Sequence, residues 1–96
     1  MSFLREKEIE KKLVLKVKKE GGICIKLVSP SFDGLPDRMV LLSNRKIGFI
    51  ELKAPNKKPK PLQIKRMNDL RKLGFKCFVV DRTEQIGDVI NEIYST

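Results

Sequence analysis

Asp37, Glu51 and Lys53 are the residues whose types and spacing carry chemistry. Asp37 follows Pro36 at the head of an apolar run, and Glu51 and Lys53 stand two apart in "FIELKAP". Successive strand residues face opposite sides, so Glu51 and Lys53 share a face and Leu52 takes the other. Ile50 and Leu52 on one side, with Ile47 and Phe49 on the other, indicate that both faces are covered. An uncompensated charge there costs on the order of several kcal/mol. A Glu51–Lys53 ion pair at a fraying strand end is one way to meet that cost.

Asp37 offers another. With a three-residue loop, Ser43 to Arg45, between the two strands, Leu42 faces Lys46 and Asp37 faces Glu51. A slip of one residue separates them. Facing carboxylates repel, and a divalent cation removes the repulsion. Hard oxygen ligands on a partly open site suit Mg²⁺ or Mn²⁺. A cation between two carboxylates beside a lysine is equipped for phosphodiester hydrolysis. The metal polarises the phosphate and lowers the pKa of a bound water. The lysine, a compact point charge, orients that water or meets charge building on the phosphorane. A third acid comes from the first helix. At about 100° per residue, Glu6 and Glu10 fall on the stripe of Leu13 and Val17, and Glu8 points away. Glu10, deeper in the helix and next to Ile9, is preferred; Glu6 is its rival. The alternative for either is the wet edge of the stripe.

These side chains need a scaffold. Ile9, Leu13 and Val17 recur every four residues and predict a helix over residues 2–20, stopped by Gly21-Gly22. Residues 23–28 form an apolar strand interrupted by Lys26, and 29–36 a loop with two prolines. Residues 38–42 and 47–52 form a hairpin turning around Asn44. A basic loop over 54–61 leads to a helix over 62–73, closed by Gly74. Residues 75–80 form a buried strand, and Thr83 is the expected N-cap of a last helix reaching Tyr94. The order is α-β-β-β-α-β-α. The third strand, the helix after it and the fourth strand make a βαβ crossover, so those two strands are expected to be parallel.

The chain has 96 residues, which suits a single domain over 1–96 with a modest core. With no histidine, His-based catalysis is excluded, and the separated Cys24 and Cys77 are expected to be small buried hydrophobes. No apolar run approaches the roughly 20 residues that span a bilayer. Residues 1–10 lack the apolar segment of a signal peptide, so a cytoplasmic location is expected, without a membrane partner. The formal net charge of +9 favours a polyanion, nucleic acid first. Lys57, Lys58 and Lys60 follow the site directly, as a phosphate-tracking edge or a solvated connector; Lys65 and Arg66 extend it. Lys26 reaches either a phosphate or water past the sheet edge. Ser29 either bonds a phosphate or serves its turn. No helix offers spaced base-reading side chains, so DNA shape is the better candidate for what is recognised.

Asp37 after Pro36, then Glu51-Leu52-Lys53, resembles the signature of the PD-(D/E)XK nucleases, and the element order resembles their restriction-endonuclease-like core, a mixed four-stranded sheet flanked by helices. A closer resemblance is to the VRR-NUC domain (virus-type replication and repair nuclease). It is carried by "IEKKL", "GGICIKLVSPSFDGLPDRMVLL", "FIELKAP" and "PLQIKRMNDLRKLGF", and covers nearly the whole chain. The resemblance implies a metal-dependent, structure-selective DNA endonuclease with Glu10 as the helix-one acid, Asp37 and Glu51 as metal-binding acids and Lys53 as the catalytic lysine. It also implies the Leu52 carbonyl as a further metal ligand and Gln63 as a supporting glutamine. A branched substrate such as a Holliday junction is expected, cut by a homodimer whose two-fold axis suits two symmetric nicks. The alternatives are a non-catalytic DNA-binding module on the same fold and a sequence-specific restriction-type enzyme.

Overall fold

The computed structural model describes residues 5–95; residues 2–4 of the expected first helix, and the two termini of the expected domain, lie outside the described residues. Helix α1 spans Glu6–Lys19 and buries Ile9, Leu13 and Val17, the predicted stripe. It ends in a Schellman cap: the Gly22 N–H donates to Val17 O and the Gly21 N–H to Lys18 O, both at 2.9 Å. Gly21 takes φ +80° there, and a Cβ on Gly22 would fall 2.4 Å from Leu41 O. The chain therefore passes directly from helix to sheet with no room for a side chain.

The strands are β1 (Ile23–Lys26), β2 (Arg38–Leu42), β3 (Lys46–Leu52) and β4 (Lys76–Val80), in sheet order β1-β2-β3-β4. β1–β2 and β2–β3 are antiparallel, and β3–β4 is parallel across helix α2 (Pro61–Lys72), as the crossover requires. The sheet is mixed and flanked by helices on both faces, the architecture the sequence predicts. Helices α1 and α3 (Ile86–Tyr94) cover one face, packing on Val40, Leu42, Ile50, Leu52 and Val80. On the other face α2 sets Met67 against Phe49 and Cys77, with Leu27, Met39, Ile47, Leu70 and Val79 at the margin.

Most element ends shift by a residue or so from expectation, and three of the differences have a local cause. β1 stops at Lys26, after which only the Leu27 N–H, donating to Asp37 O at 2.9 Å, continues the ladder; Val28 is exposed. α2 begins one residue early, at Pro61, where a proline loses no hydrogen bond. Thr83 does not cap the last helix. It opens a 3₁₀ turn (Thr83–Gln85), and Gln85 Oε1 accepts the N–H groups of Asp81 at 2.8 Å and Arg82 at 3.1 Å.

The α1 side carries most of the core, so its deletions are expected to dominate stability. Leu13→Ala should lower the unfolding free energy in urea by about 2–5 kcal/mol. Leu15→Ala, two residues on and 57% exposed, should change it by less than about 0.5 kcal/mol.

Candidate active site

The site is made by the end of the hairpin. Ser43, Asn44 and Arg45 form the three-residue connection, and Leu42 pairs with Lys46 and Arg38 with Ile50. Continued by one step, this register sets Asp37 opposite Glu51, on the α2 face with Met39 and Phe49. The ladder ends there because Asp37 replaces it: Oδ2 accepts the Leu52 N–H at 2.7 Å. Buried Pro36 anchors the residue before it. The acid is thus bonded to the strand that carries its partner.

Glu51 is 1% exposed. Neither carboxylate oxygen receives a hydrogen bond; the Lys53 ammonium approaches Oε2 at 3.1 Å. Burial and then the charge of Asp37 push the Glu51 carboxyl up to about 7, against the opposing pull of Lys53. A buried anion with two orphaned oxygens facing a second carboxylate is an arrangement that a cation resolves. The donor set is all oxygen, which fits Mg²⁺ or Mn²⁺. Among the described residues, no group of three Asp, Glu, His or Cys side chains converges as a metal cage.

The two acids of α1 have different surroundings. Glu10 Oε2 accepts from Arg38 Nε at 2.9 Å. Both residues line a hollow of about 340 Å³ on the α1 side with Lys7, Lys11, Val14 and Leu15. Arg38 reaches Glu10 because it follows Asp37 in the strand and so points to the opposite face. Glu6, a turn earlier, is coupled to the site: partial burial and then the charge of Asp37 raise its carboxyl, and Lys53 lowers it.

The remaining predicted residues are dispersed. Gln63 Oε1 accepts the Lys60 N–H at 2.8 Å, capping its own helix. Lys26 pairs with Arg38 in the ladder, so alternation puts it on the α1 face, away from Asp37. Ser29 closes a turn through its carbonyl, which accepts the Phe32 N–H at 3.3 Å. Lys57 and Lys58 line a cleft of about 350 Å³ with Pro59, Val79, Asp81, Arg82 and Gln85. Val79 is the β4 partner of Glu51, which places that cleft beside the site. Lys60 is exposed at the start of α2. Arg82 lines the cleft but was not singled out by the sequence; only its position just after a strand C-terminus pointed to it. The Arg38–Glu10 pair was also missed, although strand alternation already turned Arg38 toward α1.

No family model matches the chain. It is 49% identical over 81 residues to "Putative nuclease p44" of Acyrthosiphon pisum secondary endosymbiont phage 1, covering 84% of this chain and 87% of that protein. A solved "VRR_NUC domain" is 32% identical, with a TM-score of 0.83, over 90% of this chain and 94% of that one. A second solved structure, "VRR_NUC domain protein", is 20% identical with a TM-score of 0.74 over 98% and 91% of the two chains, a likeness of fold.

Glu51 dictates a pH dependence. Its folded pKa of about 7 lies above the ordinary 4.5, so the folded state holds the proton more tightly. The associated stability is complete below about pH 4.5 and is lost as pH rises through about 7. The metal-free protein should therefore melt at progressively lower temperature from pH 5 to 8, by on the order of 3 kcal/mol at most. Glu51→Gln should flatten that slope, as measured by thermal melts in EDTA.

Proposed function

This chain belongs to the VRR_NUC domain family, and we propose that it is a metal-dependent nuclease that hydrolyses DNA phosphodiester bonds. The observation that carries this reading is Glu51: buried, paired only with Lys53 among the described residues, and facing Asp37 across the hairpin. A fold that served only to bind DNA gains nothing from clustered carboxylates where phosphate must approach. The name of the phage relative points the same way.

Asp37, Glu51 and the Leu52 carbonyl would hold Mg²⁺ or Mn²⁺. When bound, the ion supplies Lewis acidity toward the phosphoryl oxygens. Asp37 fixes the ligand geometry, because its Oδ2 is tied to Leu52 N–H. Lys53 holds its ammonium beside Glu51 and donates to the negative charge that develops on the phosphate. Glu6 is the helix-one acid of this scheme. Its coupling to Asp37 and Lys53 supports it over Glu10, whose pairing with Arg38 favours a role in holding α1 on the sheet. Gln63 supports the site by fixing the first turn of α2. Lys57, Lys58 and Lys60 track the phosphate backbone beside the cut, while Lys26 and Ser29 contribute only at the margin. The substrate is branched DNA such as a Holliday junction, and the enzyme acts as a homodimer in the host cytoplasm. Two sites about a two-fold axis match the two nicks that a four-way junction requires.

Labelled junction, flap, single-strand and linear duplex DNA should be cut with Mg²⁺ or Mn²⁺ and left whole in EDTA. Asp37→Asn and Lys53→Ala should each slow cutting by at least about 100-fold. Unchanged cutting by Asp37→Asn overturns the chemistry, and equal DNA retention in EDTA with no cutting in any metal turns the protein into a binding module. Cleavage of linear duplex at one fixed sequence would replace structure selectivity with a restriction-type role.

Glu6→Gln is expected to slow cutting without loss of stability. Glu10→Gln should instead cost up to about 1 kcal/mol in a urea melt, with the smaller effect on rate. The reverse pattern restores Glu10 as the helix-one acid. For the homodimer, light scattering should give twice the chain mass, alone or on junction DNA; a monomer under both conditions removes it.

A further inference from the structure

We propose that Phe32, backed by Arg66, is a stacking site for one unpaired nucleobase next to the acid pair. The inference rests on the nuclease reading for its purpose, though its binding step is independent of cutting. Phe32 lies in the loop between β1 and β2 that ends at Pro36-Asp37, and its side chain is 48% exposed. The Arg66 guanidinium carbon sits 3.9 Å from the centre of its ring. That contact covers one face of the ring, and Phe32 as a whole remains 48% exposed. A base against the open face completes a three-layer stack of base, phenyl and guanidinium.

The loop is built to hold this ring still. Arg66 Nε donates to Asp33 O at 2.7 Å. The Phe32 N–H donates to Ser29 O at 3.3 Å. Gly34 has φ +86°, and a Cβ on it would fall 2.7 Å from Leu62 Cγ, so the loop lies flat on α2. Arg66 is therefore bound to the loop and to the ring at once, and its neighbour Lys65, 63% exposed, pairs with Asp69 at 3.1 Å. Asp37 follows Phe32 by five positions, a span of at most about 18 Å, or about five steps of B-form DNA.

A paired base inside a duplex hides its faces in the stack. Only a base that has left the helix, as at a branch, bulge or flap, presents one. Since every base has an aromatic face, such a site selects DNA structure and not sequence. It gives this nuclease a way to prefer distorted DNA without a base-reading helix.

The chain contains no tryptophan, so Phe32→Trp introduces a unique fluorophore. It is titrated in EDTA with three duplexes: fully paired, with a one-nucleotide bulge, and with the same bulge made abasic. The expected result is quenching by the base-bearing bulge alone. By anisotropy in EDTA, the native protein should prefer the base-bearing bulge over the abasic one by roughly tenfold. Phe32→Ala should lose this preference and Phe32→Tyr should keep it. Equal binding of the two bulges by the native protein overturns the proposal, as does a preference that survives in Phe32→Ala. Emission that changes with protein concentration without DNA assigns the ring to contact with a second copy and overturns it as well. A protein that discriminates the bulges but cuts nothing with Mg²⁺ refutes the nuclease reading and leaves the stacking site standing; one that cuts but does not discriminate does the opposite.

Discussion

Leu42 pairs with Lys46 across a turn in which Asn44 and Arg45 hold left-handed backbone angles of 62° and 61°, and the whole site inherits that pairing. Strand periodicity is two, so one inserted or deleted residue in the turn would carry Glu51 to the α1 face and Leu52 to the α2 face. The carboxylate would then be driven, with Lys53, into the apolar layer of Leu13, Val17 and Val40, and Asp37 would lose its partner. The Asp37–Leu52 hydrogen bond acts in the same sense. It satisfies a backbone donor at the point where the ladder ends, and it does so with a side chain that chemistry requires to be there. Register and site are one constraint.

The two faces of the sheet divide the work. Helices α1 and α3 bury Ile9, Leu13, Val17, Ile86, Val89, Ile90 and Ile93 on one side. The α2 side fully buries Phe49, Met67 and Cys77. That thinner layer leaves the end of the face open for charge. Glu51 is dry enough to have its carboxyl lifted to about 7, while Lys53 at 3.1 Å keeps it from being isolated. A domain this small tolerates such a residue because its stability is built on the opposite face.

Much of this was legible in the sequence. The four-residue period of Ile9, Leu13 and Val17, the glycine stop and the βαβ order fix the architecture, and the three-residue turn fixes the meeting of Asp37 and Glu51. The choice between Glu6 and Glu10 was not legible. Both lie on the buried stripe of α1, and what separates them is Arg38, whose reach depends on how the helix crosses the sheet. The sequence left Lys26 between a phosphate and water past the sheet edge; which face it takes follows only from its pairing with Arg38. Gln85 capping two backbone donors depends on the turn after β4, a local geometry that composition does not reveal. Phe32 meeting Arg66 joins positions 34 apart through a loop without regular structure, beyond any periodic signal.

The charge distribution ties these parts together. The chain carries 21 Lys and Arg against 12 Asp and Glu, yet the hairpin end brings Asp37 and Glu51 together, and Glu6 at the start of α1 adds to their repulsion. On the proposed nuclease reading, a polyanion drawn by the long-range field would meet Lys57, Lys58 and Arg82 in the cleft next to Val79. At the last few ångströms it encounters carboxylates that oppose it. Positive surface and negative centre are compatible with one ligand only if a small cation stands between them, shielding the acids and grasping the phosphate. On the proposed reading that ion would also meet the Glu51 oxygens left without a hydrogen bond, and would couple metal binding, phosphate binding and the stability of the α2 face through a single carboxylate.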